Sequence, residues 1–105
     1  VHTFTNGLTL ITIGAQTVTA SKAMAVIYAD TAEKLKALSV PAELAELHLA
    51  LINVYLGNAA AMKALATLDD DPASSFAGLL MYKTNTEKEA NILSKIEEIL
   101  TEHVI

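Results

Sequence analysis

The sequence predicts an all-α protein, an up-down-up antiparallel bundle of three long helices preceded by a Thr-rich segment that is helical or extended. Three observations predict it. The chain is 52% hydrophobic but only 5% aromatic, so its apolar content is Ala, Leu, Ile, Val and Met, and Ala and Leu are among the best helix formers. Apolar residues recur at spacings of three and four along three long stretches, which is the period of a helix face. Two breakers, Ser39-Val40-Pro41 and Asp69-Asp70-Asp71-Pro72, divide those stretches. Connections this short join antiparallel neighbours.

The first 14 residues, VHTFTNGLTLITIG, are rich in Thr and other β-branched residues, which favour extended backbone. Asn6-Gly7 is a turn signal. A lone strand without a partner is unstable, so a helix starting between Asn6 and Thr17 is the expectation. The first long helix is expected over about 17–38. Met24, Tyr28, Thr31, Leu35 and Leu38 form its stripe, and Val26 and Ile27 broaden it.

The second helix is expected over about 41–68, with Ser39 or Val40 as its N-cap and Pro41 in its first turn. Its centre, Leu47 to Leu56, is the most apolar stretch of the chain. At about 100° per residue, Leu44, Leu47, Leu51 and Tyr55 share one face, and Leu49, Ile52 and Leu56 lie on a second. Both faces together are about twice the width of an ordinary apolar stripe. The helix therefore needs neighbours on two sides. Leu51 and Tyr55 are expected in the core. Leu49, Ile52 and Leu56 are the candidate interface for a second molecule, unless residues 8–13 fold back over them.

The third helix is expected over about 72–103, with Asp71 as N-cap and Pro72 at its first position. Its inward seam is expected to read Leu79, Tyr82, Thr86, Ala90, Leu93, Ile96, Leu100 and Val104. Glu87, Lys88, Lys95, Glu97, Glu98 and Glu102 fall on the solvated face.

A chain of 105 residues is one domain, 1–105. The net charge of −5 comes from twelve acids and seven lysines without arginine, a poor footprint for nucleic acid. With no cysteine there is no disulfide, thiolate metal site or thiol nucleophile. No apolar run approaches the length of about 18 residues that a membrane-spanning helix requires, so no transmembrane segment is expected in this chain. The start at Val1 implies a processed form or an excised piece. Charged residues make up 18% of the chain, below the usual ~25%, so apolar surface is expected to remain for a partner.

Few side chains suggest chemistry. His48 falls beside Leu44, Leu51 and Tyr55. A metal ligand or general base there would need partners at helical spacing, such as Glu-x-x-His, and the chain has no such motif. The expectation is a hydrogen-bonded structural histidine, with a His48-dependent ligand or metal site as the alternative. The run Asp69 to Asp71 lacks the alternating ligands, glycine and distal Glu of a calcium loop. Asn53 lies within the apolar centre and Asn58 just beyond it; a buried amide there would fix register, and Asn53, on the polar edge, is alternatively exposed. Tyr28, Tyr55 and Tyr82, one per helix, read as packing residues with hydrogen-bonded hydroxyls. No catalytic or cofactor-binding residue is expected, and no cofactor.

The set Val40-Pro41, Leu47-His48, Asn53, Asp71-Pro72 and Tyr82 resembles a pattern in small uncharacterised helical proteins of ultrasmall bacteria, over about residues 28–100. In that group the helical domain often follows an N-terminal membrane segment. The resemblance implies an extracytoplasmic, envelope-associated module and no catalytic residue. The expected function is a non-enzymatic structural or protein-interaction module. A subunit of an extracellular filament or other homopolymer is the alternative. The expected partner is a second copy or another protein.

Overall fold

The computed structural model describes the backbone of residues 2–104 and the side chains of residues 14–102. It is all-α. Helix α1 spans His2–Ala37, α2 spans Ala45–Leu65 and α3 spans Pro72–Val104. A single 3₁₀ turn, Ala42–Leu44, leads into α2. The helices of 36, 21 and 33 residues are about 54, 32 and 50 Å long at 1.5 Å per residue. They lie in an up-down-up bundle of 63 × 24 × 18 Å.

Helix α2 is in the middle. Both α1 and α3 pack on it, and among the described residues no α-carbon of α1 comes within 8 Å of one in α3. This is the two-sided arrangement that the wide apolar surface of α2 requires. The Thr-rich start is helical and continuous with α1, so helix continuity outweighs the β-branched preference there. Any contact from the side chains of residues 8–13 lies outside the described residues.

The breakers act where expected, with two shifts. Residues 38–41 are non-helical, and Pro41, at φ −57° and ψ 150°, is the residue before the 3₁₀ turn, which has no side-chain cap. Ser39 is therefore not the cap: Pro41 occupies the boundary and leaves Ser39 two residues upstream. At the other break, Asp71 caps α3, accepting from the Ser74 amide at 3.1 Å. Helix α2 stops at Leu65 rather than near 68. Thr67 closes the turn: its hydroxyl donates to the Ala64 carbonyl at 2.6 Å, while its own carbonyl accepts from the Asp70 and Asp71 amides.

The core differs from the expected one in which residues it selects. Leu51, Ile52, Val54 and Met62 of α2 are buried as large apolar groups. The buried residues of the flanking helices are small or polar: Ser21, Ala25 and Ala32 from α1, and Ser75, Gly78 and Asn85 from α3. Gly78 explains the choice. A Cβ there would lie 2.7 Å from the Ala61 carbonyl oxygen and 2.9 Å from both Ala64 Cβ and the Leu65 nitrogen. The α3 backbone thus rests directly on α2, a closeness that only glycine allows.

The close contact sets the rotation of α3 and corrects its expected seam. Two seams of alternating three- and four-residue spacing run down α3, one residue out of phase. The inward one begins Ser75, Gly78, Tyr82, Asn85 and ends in Ile92, Ile96 and Ile99. The outward one begins Phe76, Leu79 and ends in Leu93 and Leu100, each of these roughly half exposed or more. The expected seam mixes the two. Leu79, Leu93 and Leu100 belong to the outer surface, and the side chain of Val104 is outside the described residues.

Candidate functional site

Three polar features and one apolar surface are the candidates. His48 sits on the first turn of α2 and donates from Nε2 to the Leu35 carbonyl at 2.7 Å. That carbonyl is in the last turn of α1, where helix carbonyls lack intrahelical partners. The histidine ties the two ends of the first connection together. Among the described residues, no three His, Asp or Glu side chains converge as metal ligands would.

The three tyrosines, one from each helix, meet. Tyr28 stacks on Tyr55 with ring centroids 6.0 Å apart and meets Tyr82 edge-on, also at 6.0 Å. The Tyr28 and Tyr82 hydroxyls are 2.8 Å apart. The Glu89 carboxylate lies beside the Tyr55 hydroxyl. Burial, and then the neighbouring Glu89 carboxylate, push Tyr55 up to about 12. Burial and the Tyr82 hydroxyl also push Tyr28 well above the usual phenol range. Phenols that hold their protons this firmly are poor bases near neutral pH. Their arrangement suits packing between α1 and α3.

The third feature is a set of buried amides between α2 and α3. Asn58 is fully buried, and among the described residues neither amide atom has a hydrogen-bond partner. Asn85 is also buried, with its amide nitrogen beside Gly57. Asn53 is exposed, on a groove of about 450 Å³ that it shares with Asn85, Lys88, Asn91 and Lys95. A second groove, of about 550 Å³, runs between α1 and α2 with Lys22, Lys63, Asp30 and Asp70 on its walls. It mixes charge signs on exposed side chains and brings no reactive group to a common point.

The apolar surface is larger. Leu49 is 58% exposed and Leu56 38%, whereas Ile52 between them is 6% exposed. The expected interface of α2 is therefore split: Ile52 belongs to the core, turned about 40–60° round the helix from its neighbours. Far more apolar surface lies on α3, where Phe76 is 62% exposed and Leu79, Leu80, Met81, Leu93 and Leu100 are about half exposed. On α1, Val26, Ile27 and Leu38 are likewise outside. No helix is long and apolar enough to cross a membrane among the described residues.

Sequence reasoning missed Ser75, Gly78 and Asn85. Their signal was present as spacings of three, four and three through Ser75, Gly78, Tyr82 and Asn85, carried by small and polar residues rather than apolar ones. Comparison of the chain with protein-family models, curated proteins and solved structures gives no match.

Proposed function

We propose that this chain is a non-enzymatic structural or protein-interaction module that works by burying the outer face of α3 against protein. The observation that carries the reading is the inverted distribution of side chains. The closest part of the α2–α3 contact uses Ser75, Gly78 and Asn85, while Phe76, Leu79, Leu80, Leu93 and Leu100 face out. Large contiguous apolar surface marks protein contact sites on soluble folds. The envelope is the proposed location, on the resemblance of Val40-Pro41, Leu47-His48, Asn53, Asp71-Pro72 and Tyr82 to the helical proteins described above.

A homopolymer subunit is the second reading, and one observation favours it. Exposed apolar residues occur on more than one helix, Val26 and Ile27 on α1 as well as those on α3, and a filament needs two contact faces per subunit.

Site-specific photo-crosslinking in the cells that make the protein tests the proposal. A photoreactive residue at Leu80 should give a covalent protein adduct in the envelope fraction, and one at the exposed Lys36 should not. No adduct from Leu80, or equal adducts from both positions, would overturn it.

A further inference from the structure

We propose that the outer seam of α3 pairs with the same seam of a second copy, running antiparallel. This rests on the reading of α3 as a protein-contact surface and names its occupant. The seam runs from Phe76 to Leu100 in steps of three and four, the heptad spacing by which two helices interlock. All but one of its positions are exposed, and Thr86 is half-buried, so no described residue of the same chain fills the opposing holes. The seam is about 36 Å long at 1.5 Å per residue.

The charges on the seam choose the direction. Lys83 lies in its first half and Glu97 in its second, and both are exposed. A parallel pair would set Lys83 against Lys83 and Glu97 against Glu97. An antiparallel pair sets Lys83 of each chain near Glu97 of the other, twice over, and like-charge contacts of that kind discriminate strongly between arrangements. The apolar ends match as well. Reversal brings Phe76 opposite Leu100, and the small Ala90 near the middle lets the helices approach. The contact uses the same patch on both copies, so it closes into a dimer.

Sedimentation equilibrium of the full chain should give twice the 11.1 kDa chain mass. Lys83→Glu and Glu97→Lys should each raise the dimer Kd by roughly tenfold or more, and the two together should restore it. The chain has no cysteine, so a spin label on Glu102→Cys is unique. Two such labels should be about 40 Å apart in the antiparallel pair, from the helical rise. A monomer at every concentration, an open-ended assembly, single reversals not rescued by the double one, or a label separation under about 20 Å would each overturn the pairing. A monomer that still crosslinks through Leu80 to a different protein would refute the pairing and leave the interaction module standing.

Discussion

The Tyr28 hydroxyl of α1 and the Tyr82 hydroxyl of α3 are 2.8 Å apart, although the two helix backbones come no closer than 8 Å at their α-carbons among the described residues. The tyrosines bridge what the backbones do not. Tyr55 of α2 stacks beneath Tyr28 and lies beside Glu89 of α3. One aromatic cluster thus fixes the axial register of all three helices.

The cluster gives the protein an alkaline limit. Tyr55 ionises at about 12 in the folded protein against 10.0 for a free phenol, and Tyr28 is raised in the same direction. Above the unfolded value, unfolding releases a proton that the folded state retains, so stability falls as pH rises from about 10 to about 12 and is unaffected by these groups below that window. The denaturant midpoint should drop across the window, and less so in Tyr55→Phe, whose ring has no proton to lose. Equal slopes in the two proteins would show that the Tyr55 proton plays no part in the alkaline limit.

The bundle, its two breaks and its central helix were legible in the sequence because they depend on period, proline and capping chemistry. Asp71-Pro72 marks a helix start whatever lies around it. The rotation of α3 was not legible. Leu79, Leu93 and Leu100 outscore Ser75, Gly78 and Asn85 on hydrophobicity, yet the contact with α2 selects for small volume. The rotation of α1 follows the same rule, with Ala25 and Ala32 inside and Val26 and Ile27 outside. Ile52 was assigned to the outer face for the converse reason: an apolar residue on a helix with two neighbours can be inside on either side.

Gly78 and Gly57 should respond oppositely to alanine. At Gly78 the added methyl meets backbone atoms of α2 at 2.7 and 2.9 Å, and overpacking of that kind costs about 1–3 kcal/mol. At Gly57 it meets the end of the Asn85 side chain at 2.8 Å, which can turn aside, so the gain in helix propensity of up to ~1 kcal/mol is kept. Urea denaturation should place Gly78→Ala below the wild type and Gly57→Ala at or above it. The reverse order would mean that α3 does not rest on α2 at Gly78.

Asn58 should be the more dispensable of two buried residues in α2. Leu51 is 7% exposed, and its replacement by Ala should cost ~2–5 kcal/mol. Asn58 is 0% exposed with both amide atoms unpaired, a state that itself costs about 1–3 kcal/mol. Asn58→Ala relieves that penalty as it opens a small cavity, so its denaturation midpoint should lie close to the wild type. A loss as large as that of Leu51→Ala would reveal hydrogen bonds made by the amide.

The central claim is that α3 turns the seam of Phe76, Leu79, Leu93 and Leu100 outward and the seam through Ser75, Gly78 and Asn85 inward. Comparing Leu93→Lys with Ile52→Lys by circular dichroism and urea denaturation, in dilute solution where subunits are separate, tests it most directly. Leu93 is 46% exposed and Ile52 6%. Leu93→Lys should stay helical with stability within about 0.5 kcal/mol of the wild type, as surface substitutions do. Ile52→Lys should unfold the chain, because it buries an unpaired charge. If Leu93→Lys unfolds as Ile52→Lys does, the leucine seam faces the core and the outward face proposed for α3 does not exist.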